Sequence, residues 1–222
     1  MKYNFNYCWH FLLADAFPMR EALEKWKDGS GKYFYEKDYQ EQGWQEVTLP
    51  HTFNDADLFV APIQDAGSGQ KRTCAFYRKV FPLEKERQGG KILLEFEGMR
   101  QTCYLYVNGR MAGYYEAGVA PFGFDITPYA EFGEENLIAL VTDNTATRNI
   151  GFCIAETPNV PEVEPGSYLF AQEEAVPEDR QGVGFFWNCN DFNPSLGGIT
   201  RPVWLHVKPE IYLTLPLYSN LQ

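Results

Sequence analysis

Apolar and polar residues alternate in several short runs of this chain, the period of strands with one buried face. The clearest run is residues 91–97, Lys-Ile-Leu-Leu-Glu-Phe-Glu, in which Ile92, Leu94 and Phe96 share one side. Similar runs predict strands at 7–13, 45–49 (stopped by Pro50), 74–81, 101–107, 110–116, 136–143 and 202–208. Between the fourth and fifth of these lies Asn108-Gly109, a pair that tolerates positive φ at both central positions of a tight turn, so a hairpin is expected there. A single short helix or helical turn is predicted over 17–26, with Pro18 near its start and Leu23 and Trp26 set among charges. Many short strands with turn signals and almost no helix imply an all-β fold, an antiparallel sandwich. With 222 residues, the larger jelly roll, of the galactose-binding-like kind, is favoured. An immunoglobulin domain needs only ~100 residues.

Two stretches read as long loops: 54–71, polar and glycine-rich, and 156–181, which holds Pro158, Pro161, Pro165 and Pro177 among many carboxylates. The tail beyond Lys208, Pro-Glu-Ile-Tyr-Leu-Thr-Leu-Pro-Leu-Tyr-Ser-Asn-Leu-Gln, stays apolar to its end, where a free terminus is more often polar. Residues 1–208 are therefore expected to form one domain, with 209–222 beginning a strand towards another.

Composition adds support for strands. Aromatics make up 16%, with 17 Phe and 14 Tyr, residues that pack well on a pleated surface. The formal charge of −11, with no cluster of Lys or Arg, excludes nucleic acid and anionic membranes as natural partners. A neutral polar ligand such as a sugar is compatible with it. Cys8, Cys74, Cys103, Cys153 and Cys189 stand singly with no C-x-x-C pair, which reads as reduced, mostly buried thiols. Neither they nor His10, His51 and His206 have ligand spacing for zinc, so no metal and no cofactor is expected. Met1 to Leu13 has no apolar signal-peptide core, and a cytoplasmic location is expected.

Several motifs occur together in one order. Trp44-Gln-Glu-Val-Thr-Leu-Pro-His51-Thr-Phe-Asn54 is followed by Tyr77-Arg-Lys-Val-Phe81, then Leu94-Glu-Phe-Glu-Gly98, Tyr106-Val-Asn-Gly109 and Gly113. Pro121-Phe-Gly-Phe-Asp-Ile-Thr127, Glu135-Asn136 and Asp143-Asn144 come next, and Asp191-Phe-Asn-Pro194 with Gly197-Gly-Ile-Thr-Arg201 closes the series. In order and spacing they resemble the N-terminal sugar-binding domain of family 2 glycoside hydrolases, the β-galactosidase and β-glucuronidase type. Taken as chemistry, most are scaffold: Gly98 and Gly113 mark bends or close approach, and Asp125 and Asn136 are turn-forming side chains.

The resemblance implies a retaining glycosidase whose two catalytic glutamates lie on a (β/α)₈ barrel, beyond an immunoglobulin-like domain. A barrel alone needs ~250 residues, so this chain is expected to be the non-catalytic part, with no catalytic residues of its own. Glu95 and Glu97 read as neighbours on a solvent face, and Glu134/Glu135 and Glu173/Glu174 as turn or loop acids. The family uses loops of this domain to close the barrel's pocket, and the best match is the 188–198 loop. Asp191 and Asn193 there suit sugar hydroxyls, and Trp187 with Phe192 suits a sugar ring's apolar face. His51 is expected to be structural. The partners implied are a β-galactoside-like carbohydrate and the immunoglobulin-like and barrel domains. Two other readings stay open. A free-standing carbohydrate-binding module would need an exposed aromatic platform, whereas Trp9, Trp44 and Trp204 are expected in the core. A partner-docking domain would bind another subunit through its apolar surface.

Overall fold

The computed structural model describes residues 1–14, 26–54, 74–100, 102–116, 121–143, 149–153, 184–186 and 197–212. Among the described residues twelve strands run in chain order: β1 Lys2–Asn4, β2 Trp9–Leu13, β3 Gln45–Val47, β4 Cys74–Pro82, β5 Lys91–Phe96, β6 Thr102–Val107, β7 Arg110–Glu116, β8 Phe122–Asp125, β9 Glu135–Asp143, β10 Asn149–Cys153, β11 Gly184–Phe186 and β12 Val203–Lys208. Among the described residues the helical content is confined to 3₁₀ turns at Lys85–Arg87 and Thr127–Tyr129. The helical turn expected over 17–26 lies outside the described residues except for Trp26, as do the long loops except for Asn54.

A six-stranded sheet in the order β3-β2-β4-β9-β6-β7 faces a four-stranded sheet in the order β1-β12-β5-β8. β10 and β11 form a separate antiparallel pair. Every pairing within the two large sheets is antiparallel. The fold is an all-β jelly-roll sandwich, the sandwich as the alternation predicts and the jelly roll as the length of 222 residues favours.

Strict alternation on the four-stranded sheet sends Ile92, Leu94 and Phe96 of β5 and Val203, Leu205 and Val207 of β12 inward. They meet Trp9, Phe11, Ala75, Tyr77, Cys103, Leu105, Val107, Ile138 and Leu140 from the six-stranded sheet in one continuous core. Burying a side chain of this size contributes about 1.5–3 kcal/mol relative to leaving it exposed. Gly113 lets the sheets approach, because a Cβ there would stand 2.3 Å from the Phe124 ring.

The six-stranded sheet is covered on its other face too. Phe76, Tyr104, Tyr106, Leu137, Ala139 and Val141 pack against Phe34 and Tyr39, with Trp26 and Trp44 at the margin. Burial on both faces explains why 136–141 and 74–77 read as nearly unbroken apolar runs. Arg78 crosses this second core, donating from Nε to Glu41 Oε1 at 2.6 Å and from Nη1 to the carbonyls of Phe34 and of Glu36. A buried guanidinium is tolerated where it is paired and hydrogen-bonded in this way.

The β6–β7 hairpin turns at Asn108 (φ 49°) and Gly109 (φ 80°), as the dipeptide predicts. Asn108 also accepts from the Leu137 N–H and donates to Asn136 Oδ1, and Asn136 binds the carbonyls of Glu131 and Glu134. Asp125 accepts from the Thr127 N–H. Both side chains serve turns, as expected.

One expectation needs correction. Trp9 is fully buried, and Trp44 is half-buried beside the second core, but Trp204 lies on the outer face of the four-stranded sheet. Its neighbours Val203 and Leu205 take the inward positions, so a period of two forces Trp204 out.

Candidate functional site

Residues 51–54 run out from the end of β3 and meet residues 197–199, which lead into β12. The His51 N–H donates to the Ile199 carbonyl at 2.8 Å, and the Phe53 N–H to the Gly197 carbonyl at 3.4 Å. Thr52 Oγ1 donates to the same Gly197 carbonyl at 2.9 Å, and the Gly197 N–H donates to Asn54 Oδ1 at 2.7 Å. Gly198 bridges to Arg100 in both directions, and Thr142 Oγ1 donates to the Arg100 carbonyl at 2.7 Å. Four separate segments are thus stitched into one clasp at one end of the sandwich.

The two glycines are required by this packing. A Cβ on Gly197 would sit 1.9 Å from the Phe53 ring. A Cβ on Gly198 would meet both the His51 carbonyl oxygen and the Tyr77 hydroxyl at 2.7 Å, and its φ of +112° favours glycine on its own account. Asn54 is fully buried, and an unpaired buried amide is costly, so its bond to the Gly197 N–H is a strong positional constraint.

Tyr77 completes the clasp. Its hydroxyl lies 2.9 Å from His51 Nδ1. Burial drives its ionisation far above the usual phenol range, against the opposing hydrogen bond from the Ile199 backbone. The Phe11 ring packs edge-on against the same imidazole. His51 is therefore a structural histidine, as the sequence suggests. The latch residues Thr52, Asn54 and Tyr77 carried no periodic signal that would have singled them out.

Of the residues expected to touch a ligand, Trp187, Asp191 and Asn193 lie outside the described residues. The clasp holds the point at which their segment rejoins the sheet. It also ties that point to Asn54, where the 55–73 stretch leaves. Glu95 and Glu97 fall on the outer face of the four-stranded sheet, half-buried, and do not form an acid pair for bond cleavage. Glu95 Oε2 accepts from Lys2 and pairs with His206, while Glu97 Oε1 accepts from Trp204 Nε1 at 2.7 Å. Among the described residues no three His, Cys, Asp or Glu side chains gather in a way that could hold a metal ion. Cys8 is an exposed free thiol, and Cys74 and Cys103 are buried free thiols. No helix among the described residues is long and apolar enough to cross a membrane.

Residues 8–209 match the family model described as glycosyl hydrolases family 2, sugar binding domain. This chain belongs to that family. A β-glucuronidase of Formosa agariphila is 32% identical over 223 aligned residues, covering 99% of this chain and 18% of the relative. A β-galactosidase of Thermoanaerobacter pseudethanolicus is 33% identical over 148 residues, 66% of this chain and 17% of its own length. Among solved structures, a family 2 β-glucuronidase superposes with a TM-score of 0.65 at 32% identity, covering 99% of this chain and 19% of the other. The chain thus spans under a fifth of each of these three relatives, and the part matched is the sugar-binding domain. The ordered motifs that fall within the described residues, 44–54, 106–109, 121–127 and 197–201 among them, contribute to this domain's clasp, hairpin and turns.

Proposed function

We propose that this sugar-binding domain is the non-catalytic accessory part of a β-galactosidase-like glycosidase, with bond cleavage carried by a (β/α)₈ barrel outside these 222 residues. In this reading residues 1–208 are the jelly roll and 209–222 lead towards an immunoglobulin-like domain. The 188–198 loop closes one side of the barrel's pocket. Asp191 and Asn193 bind sugar hydroxyls, and Trp187 lends an apolar face to the ring. The observation that carries the proposal is the bond from the Gly197 N–H to buried Asn54 Oδ1. A loop that grips substrate must be rooted rigidly, and here its root is held by side-chain, backbone and glycine constraints together. The free thiols suit a reducing compartment, the cytoplasm.

The test mixes the purified chain with a separately expressed barrel-containing segment from the same or a neighbouring reading frame. Hydrolysis of a nitrophenyl β-galactoside is then followed. Activity that appears only on mixing, and falls at least tenfold with Asp191→Ala, is expected, since losing a sugar hydrogen bond to a charged group weakens binding by about that factor. Equal activity with and without the chain would overturn the accessory role. Hydrolysis of a β-glucuronide in place of the galactoside would overturn the substrate assignment alone.

A further inference from the structure

We propose that the outer face of the four-stranded sheet carries a second carbohydrate-contact surface, centred on Trp204 and distinct from the clasp end, that takes a neutral pyranose. The strand register lays out its floor. Asn4, Trp204, Glu95 and Gly123 stand in one row across β1, β12, β5 and β8, and Lys2, His206, Leu93 and Asp125 stand in the next. Trp204 is the single aromatic among the outward positions of these four strands.

The groups around the ring suit sugar hydroxyls. Trp204 Nε1 is held by Glu97 Oε1 at 2.7 Å, which fixes the plane of the indole. His206 Nε2 lies 2.6 Å from Glu95 Oε2, and Lys2 Nζ lies 3.1 Å from the same oxygen. These bonds occupy one oxygen of each carboxylate and one nitrogen of the imidazole, leaving Glu95 Oε1, Glu97 Oε2 and His206 Nδ1 for a ligand. Lys2 Nζ lies 4.3 Å from the centre of the Trp204 ring and is 43% exposed, on an edge strand only three residues long. Trp204 keeps part of its surface in solvent, and the flexible lysine over its ring has to swing aside for a sugar to stack there. Gly123 ends the row with no side chain, so a ligand lying on Trp204 and Glu95 meets no wall there.

The composition of the face separates sugar from protein as its occupant. The centre of a protein interface is depleted of Lys, Glu and Asp, whereas this row and its neighbours hold Lys2, Lys91, Glu95, Glu97, Asp125 and Lys208. One aromatic platform ringed by fixed hydrogen-bonding groups is the arrangement that orients a polar ring with an apolar face. Two free carboxylate oxygens beside the platform disfavour a uronate and favour a neutral sugar.

The proposal is tested on the 222-residue chain by NMR. The indole N–H signal of Trp204 is assigned with Trp204→Phe and followed during titration with methyl β-galactopyranoside and methyl β-glucopyranoside. A saturable shift of that signal in the millimolar range is expected. In Trp204→Ala, where that signal is absent, the sugar-induced shifts of the neighbouring backbone amides of Glu95 and Leu205 should be lost, while the Trp204 shift should be weakened roughly fivefold in Glu97→Gln and unchanged in Asp191→Ala. The last variant separates this surface from the clasp-end site, so either can fail without the other. Because Glu97→Gln keeps the side chain's shape, it serves if Trp204→Ala unfolds. No shift of the Trp204 signal with either sugar would overturn the proposal. So would a shift caused by an added barrel-containing segment and by no sugar, which would make the face a protein interface.

Discussion

At the scale of single residues, the positions under most constraint are small or buried ones with several partners. Gly198 combines a left-handed backbone with two backbone and side-chain oxygens where a Cβ would stand. Gly198→Ala is expected to destabilise the fold by roughly 3 kcal/mol, from strain and overpacking together, read from the urea midpoint. An unchanged midpoint would mean that His51 and Tyr77 yield easily. The thiols divide by burial in the same way. Burial pushes the Cys103 thiol far above its ordinary range, and Cys74 is equally enclosed, while Cys8 is exposed with positive φ. In a Cys153→Ser, Cys189→Ser background, a thiol reagent should label one cysteine in the native protein and the other two only on unfolding. Rapid native labelling of all three would contradict the core described here.

At the scale of elements, the strands with strict alternation were legible in the sequence and the irregular ones were not. β5 and β12 alternate along their whole length; the inward set of β5 falls as read, while on β12 Trp204 takes the outward side against expectation. β1, three exposed residues, and β8, Phe-Gly-Phe-Asp, are edge strands too short or too interrupted to show a period. The 26–44 segment was harder still, because irregular backbone has no period to read. It nevertheless packs through Phe34 and Tyr39 on the far face of the six-stranded sheet, and Arg78 ties it down through Glu41, with side chains 4% and 23% exposed. Glu41→Ala should therefore cost more than Arg78→Met, about 2 kcal/mol against less than one, because the first strands a buried cation and the second removes it. Thermal unfolding of the two variants decides this, and the reverse order would show that Arg78 is satisfied by the Phe34 and Glu36 carbonyls alone.

At the scale of the whole molecule, acidic charge and carboxylate pairing set the response to pH. Burial alone would raise the Glu95 carboxyl, but hydrogen bonds from His206 and Lys2 outweigh it, and the net direction is down. Asp125 behaves alike, with burial opposed and overcome by Thr127 and Lys91. A carboxylate depressed in the folded state contributes stability at pH above its unfolded value and loses it as pH falls through the folded one. Glu95→Gln combined with Asp125→Asn should flatten the fall in urea midpoint below about pH 5. A fall as steep as in the unaltered protein would assign acid unfolding to other groups.

Alternation, the Asn108-Gly109 turn and the ordered motifs determined the regular strands, the hairpin, the all-β class and the family, because each depends on residues close together in the chain. Which face of a strand is covered, and by what, is a different kind of question. A period of two says that a strand has two sides, and cannot say that Trp204 faces outward beside Lys2 or that Phe34 caps the far side of β4. The clasp is the sharpest instance: Asn54 and Gly197 are 143 positions apart and become partners only when the sheets close. Hydrogen-bond partners of buried polar groups are chosen by chain closure, so the site's foundation belongs to the folded molecule, while the residues that fill it were already visible as a motif.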